Sequence, residues 1–218
     1  MRLLKKKILF VLTIGLSLFL CSCKTDIKVS VLDDGKISVE YFALPGKAFL
    51  ETIAAISGES LQENQPVVFN QEEIKESFVE SGLEEIDVSG IKNATLDVKG
   101  KIPSDKSDVF SQSGIIDYSQ TGKNVKLVLS KKTLKNFYEI CPDEFQSYID
   151  LFMAPAFSDE EMTTEEYVDL VASVYGQELA DEVLSSKLRI TFQKNNKTVT
   201  KEINLVDLFN ISSSIVFE

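Results

Sequence analysis

The chain has no histidine and no tryptophan among its 218 residues, and only three cysteines. Without histidine it has no Ser-His-Asp or Cys-His catalytic arrangement and none of the usual imidazole zinc ligands. Cys21 and Cys23 lie near the start and Cys141 stands far from them, too few for a disulfide framework. No Gly-rich phosphate cradle occurs. No low-complexity linker divides the chain, and no repeat of the solenoid or propeller kind appears. No apolar run reaches the roughly 20 residues that cross a bilayer as a helix.

What is present begins with a basic start, "MRLLKKK", followed by 13 apolar or small residues from Ile8 to Leu20. This is the layout of a secretory signal rather than of a membrane span. Leu20-Cys21-Ser22-Cys23 resembles the lipobox of bacterial lipoproteins, with leucine three places before the modified cysteine and a small residue directly before it. The departure is Cys21 between them. Cys21 itself is the poorer acceptor, because bulky Leu20 would directly precede it. The resemblance covers residues 1–23 and implies a signal peptide over 1–22 with cleavage between Ser22 and Cys23. It also implies a diacylglyceryl group on the Cys23 sulfur and acylation, by palmitate or a similar chain, of the new amine. Two or more chains hold a protein on a membrane where one does not. The domain would then be a membrane partner through its lipid, facing the periplasm or the cell surface, on a tether of a few residues.

Removing the leader takes away four basic side chains and no acidic one, leaving 34 acidic against 19 basic in 196 residues. Such a surface repels phosphate backbones, which argues against nucleic acid as a partner. It repels anionic lipid as a whole too, so the anchor holds without help from net charge. With the Cys23 sulfur alkylated, Cys141 has no disulfide partner, and 196 residues suffice to bury one core without one.

Periodicity places the elements. Ile27, Val29 and Val31 alternate with polar residues, Asp33-Asp34-Gly35 turns the chain, and Ile37, Val39, Tyr41 and Ala43 alternate back, predicting a hairpin. Pro45-Gly46 opens a helix through "KAFLETIAAIS", and Asn70 with Glu73 caps another that carries Ile74 and Phe78 and ends at Gly82. Residues 84–129 read as strands and turns, with "IPSDKSDVFSQSG" a loop or short helix. Leu134, Phe137, Tyr138 and Cys141 share a helical face, which makes Cys141 a buried small hydrophobe rather than a reactive thiol. A second apolar face runs through Phe145, Tyr148 and Phe152. Thr163 to Glu166 spells a capping box with Met162 and Tyr167 as the staple, continued by Leu170, Val171 and Val174. A last helix supplies Leu179, Ala180, Val183 and Leu184. The end returns to β through Leu188, Ile190 and Phe192, a turn at 195–197, "TVTKEINL" and a closing strand in "ISSSIVFE". The order predicts a single α+β domain over 23–218, an antiparallel sheet of hairpins with several helices on one face.

Few residues point to chemistry. Asp159, Glu160, Glu161, Glu165 and Glu166 crowd together, as oxygen ligands of a calcium ion would. They also precede and begin a helix, where acidic groups favour the dipole, and their spacing fits no known loop. The aromatic middle (Phe137, Tyr138, Phe145, Tyr148, Phe152, Tyr167, Tyr175) reads as ordinary core or as the wall of a pocket for a hydrophobic ligand. No catalytic residue, metal ligand or cofactor motif stands out, and no carboxylate pair is singled out for hydrolysis. The run from Tyr148 to Phe192, "YIDLFMAPAFSDEEMTTEEYVDLVASVYGQELADEVLSSKLRITF", resembles the central block of spirochaete envelope lipoproteins. The hairpin "KVSVLDDGKISVEY" is distantly similar to that of LppM-type lipoproteins of actinobacteria. Neither family lends functional residues to this chain. The expectation is a non-catalytic binding or structural module of the bacterial envelope, with an envelope protein as partner. The alternatives are a carrier of a hydrophobic or lipid ligand and a carboxylate-dependent hydrolase.

Overall fold

The computed structural model describes residues 22–57, 71–89, 95–103, 107–118, 124–140, 162–209 and 211–218. It is an α+β domain of one six-stranded sheet, one three-stranded sheet and seven described helices. The large sheet runs β3-β4-β2-β1-β7-β8 and the small one β5-β6-β9.

β1 (Ser22–Val31) and β2 (Ile37–Pro45) form the predicted hairpin. Gly35 sits at φ +83, a conformation glycine takes without a Cβ penalty, and Lys36 N–H donates to Asp34 Oδ1 at 3.0 Å. β4 (Leu96–Ile102) and β3 (Glu84–Ser89) extend the sheet on one side. On the other side β7 (Lys187–Lys194) pairs with β1, and β8 (Lys197–Asn204) closes the edge through an Asn195-Asn196 turn, both at positive φ as such hairpin turns require.

The sheet is mixed rather than antiparallel throughout. β1 and β7 run parallel from Lys24↔Lys187 to Ser30↔Gln193. Two hairpins from opposite ends of the chain meet side by side here, and nothing in the local alternation of either strand specifies that direction. β5 (Ile116–Tyr118), β6 (Val125–Leu129) and β9 (Ile215–Phe217) make the second sheet.

The helices are α1 (Lys47–Ser57), α2 (Gln71–Glu80), α3 (Val109–Ser113), α4 (Lys131–Ile140), α5 (Thr164–Tyr175), α6 (Gln177–Ser185) and α7 (Leu205–Phe209). α7 has no counterpart in the sequence reading. Two close approaches hold the helical layer. Glu182 of α6 accepts the Ala48 and Phe49 amides at 2.8 and 3.0 Å, capping α1 from another helix. A Cβ on Gly46 would collide with that carboxylate. Gly82, at φ +87, faces Asp108, whose Cα would lie 2.6 Å from an added Cβ. Asp108 is fully buried and caps α3, accepting from Phe110 and Ser111 N–H at 3.0 Å each.

The capping box at Thr163 and Glu166 is present, with Tyr167 buried and Met162 half-buried beside the core. Leu170 and Val174, placed on the apolar stripe by the sequence reading, are 42% and 58% exposed. The packed arc of α5 runs instead through Tyr167, Val171 and Tyr175, and leaves those two off its edge. Leu184 likewise points outward, while Leu179, Ala180 and Val183 pack.

Candidate functional site

The packed face of the large sheet alternates apolar residues inward: Ile27 and Val29, Val39 and Tyr41, Val98, and Leu188 and Ile190. Opposite stand Ile116, Leu127 and Leu129 of the small sheet, with Leu134, Phe137 and Tyr138 of α4 at one side. The two layers do not meet everywhere. They leave a cavity of about 130 Å³.

Gly100 helps keep it open. A Cβ there would already lie 3.2 Å from Leu83 Cδ2, so β4 presents bare backbone where its neighbours present branched chains. Phe110 of α3 and Phe137 of α4 stack at 5.6 Å and form the helical wall. Among the described residues no carboxylate, ammonium or guanidinium group lines the cavity, and the polar side-chain atoms there are tyrosine hydroxyls. Such a site binds by contact and by exclusion of water. Among the described residues it holds neither a nucleophile with its base nor a pair of acids.

The opposite face of the same sheet is polar. Lys28 meets Glu40 at 2.6 Å, Arg189 meets Asp26 and Glu202 at 3.5 and 3.4 Å, and Lys101 pairs with Glu85. These groups are about a third to a half exposed, so solvent screens each pair and none of them holds the fold together. The Lys101 ammonium lowers the Glu85 carboxyl, and Lys187 with Arg189 lowers Glu202, chiefly by hydrogen bonds.

Ser22 and Cys23 both belong to β1. Ser22 pairs with Pro45 and Lys24 with Leu44, which leaves Cys23 as the extra residue of a β-bulge. Lys24 and Thr25, which follow Cys23, are already paired in the strand. Of the acidic cluster, Glu165 and Glu166 lie in the first turn of α5, and Asp159, Glu160 and Glu161 fall outside the described residues. Glu166 closes the capping box; the Thr163 amide and hydroxyl lower its carboxyl below the usual range. Among the described residues no group of three acidic or cysteine side chains is placed to hold a metal. Cys141 and the segment with Phe145, Tyr148 and Phe152 also lie outside them.

Of the aromatic residues marked in the sequence, Phe137 and Tyr138 reach the cavity, while Tyr167 and Tyr175 pack elsewhere in the core. Tyr41 and Phe78, which periodicity places on packed faces, and Phe110 line it as well. Their only signal was apolar character at core-facing positions, which every core residue shares.

Fold and site thus define an α+β domain with an apolar cavity between two sheets. Comparison with protein-family models, curated proteins and solved structures finds no match to this chain.

Proposed function

We propose that the chain is an exported lipoprotein, held on a membrane through a diacylglyceryl group on Cys23, whose domain is a non-catalytic module binding a hydrophobic group in the cavity between its sheets. The observation that carries the binding half is a cavity of about 130 Å³ whose described lining residues carry no charge. An apolar cavity of about 150 Å³ stays dry and takes a benzene ring, whereas sites that enclose drug-sized ligands run to about 300 Å³ and more. The occupant is accordingly part of a molecule, a ring or the end of an acyl chain, and not a whole phospholipid. The anchoring half rests on the basic start, the 13-residue apolar run and the Leu20-to-Cys23 box.

Two measurements test the halves separately. Intact mass of protein from its own cells, beside Cys23→Ser, reads the anchor: residues 23–218 plus acyl chains are expected, with lipid and membrane fraction both lost in the variant. An unmodified or uncut chain rejects that half. For the cavity, titration with a small apolar probe such as naphthalene should raise the Tm of the wild type. Ile27→Phe, which puts a ring into the space, should fold and lose that rise. A wild type indifferent to the probe rejects the binding half.

A further inference from the structure

We infer that the end of the six-stranded sheet carrying Cys23 is a bilayer-contact edge that receives anionic phospholipid headgroups, with Lys24 and Lys187 on the phosphates and Leu44 in the interface. This rests on the anchor at Cys23 proposed above. With no leash between the acylated residue and the strand, the bilayer meets the sheet end itself.

The residues it meets follow from register. Lys24 is paired with Leu44 on one side and with Lys187 on the other, and Lys187 with Asn204. Strands lie about 4.8 Å apart, so this row stands within about 10 Å of Lys24. The Lys24 and Lys187 side chains are 53% and 54% exposed, and Leu44, on the face it shares with Phe42, is 40% exposed.

Two ammonium groups in direct register on adjacent strands oppose each other, and the row holds no carboxylate. The next row inward is Phe42, Asp26, Arg189 and Glu202. Asp26 and Glu202 hold the two lysines at 3.5 and 2.8 Å from that side, away from the anchor. In register, Lys24 and Lys187 thus lie one row nearer the sheet end than their carboxylate partners. On the helical side of this end Glu182 is taken up by α1 and Asp207 accepts from Asn204 at 2.8 Å. A headgroup phosphate would add a second anion for the two lysines beside Asp26 and Glu202, and long lysine stems beside an exposed leucine suit the headgroup layer.

The test uses the acylated full-length mature protein in vesicles of phosphatidylcholine alone or with about a third phosphatidylglycerol. Reductive methylation with formaldehyde and borohydride, read by peptide mass, gives the reactivity of each lysine. Lys24 and Lys187 should react about fivefold more slowly with the anionic lipid, the factor that about 1 kcal/mol per lysine at such a surface provides. Lys197, at the opposite sheet end, should not change, and high salt should restore the two. In Lys187→Glu the slowing at Lys24 should shrink while acyl mass and vesicle association persist. Slowing that Lys197 shares, or rates indifferent to headgroup charge, would overturn the contact edge although the anchor stands. A protein without acyl mass would instead reject the anchor on which it rests.

Discussion

The two faces of the six-stranded sheet are made by the same strands and obey different physics. On β7, Leu188, Ile190 and Phe192 are at most 3% exposed, while Lys187, Arg189 and Thr191 between them face solvent. One face is held by dispersion and loss of water from apolar surface, the other by ion pairs and hydroxyl contacts at high dielectric. An antiparallel or mixed sheet with one wet face needs only one covering layer, and here that layer fits imperfectly. The misfit is the cavity. Stability therefore lives on one face, and both proposed functions use features that the stability of that face did not require: an unfilled volume beneath it and a row of cations at its edge.

Adjacent residues of one strand give the sharpest way to break the comparison. Phe192 is 1% exposed and lies 6.5 Å from the Phe217 ring, whereas Thr191 contacts Thr200 across the open face at 3.1 Å. Phe192→Ala should cost about 3 to 5 kcal/mol and Thr191→Ala less than about 1 kcal/mol, both read by urea unfolding. Similar costs at the two sites would mean that the open face is covered in the native protein. An intermediate effect belongs to the helical layer. Glu182→Gln keeps the shape but removes the charge from two α1 amides, and should cost about 1 to 2 kcal/mol. Gly46→Ala should be at least as damaging, because its Cβ and the Glu182 carboxylate compete for one place.

The smallest effect is on the open face and shows only against pH. Lys187 and Arg189 hold Glu202 below the ordinary glutamate value of 4.5. A carboxylate lowered in the folded state contributes stability that is present above its unfolded value and is lost as pH falls through the folded one. Glu202→Gln should accordingly lower the neutral plateau slightly and converge on the wild type in acid, which flattens the acid side of the stability profile below about pH 4.5. An acid limb identical to that of the wild type would show that the Lys187–Glu202–Arg189 group adds nothing to folding.

Much of the secondary structure was legible from local chemistry. The Asp33-Asp34-Gly35 and Asn195-Asn196 turns, the helix after Pro45-Gly46 and the Thr163–Glu166 capping box each depend on a few contiguous residues, and each forms where expected. Which side of α5 packs was misread at Leu170 and Val174, because apolar character does not say which of two adjacent arcs finds a partner. The parallel register of β1 with β7 joins residues as far apart as Ser30 and Gln193, 163 positions in sequence. The cap on α1 comes from 134 positions away. Such pairings are choices among many apolar faces and many carboxylates, and they are made only when the layers close.

Sequence alone determined the sheet faces, the turns and the Thr163–Glu166 capping box, because each is written in side-chain type at fixed short spacing. Tertiary structure alone decided that Cys23 falls in a bulge of a central strand, that Lys24 and Lys187 stand side by side, and that two apolar layers leave about 130 Å³ between them. Register and packing volume are properties of pairs of surfaces, and neither surface carries them by itself.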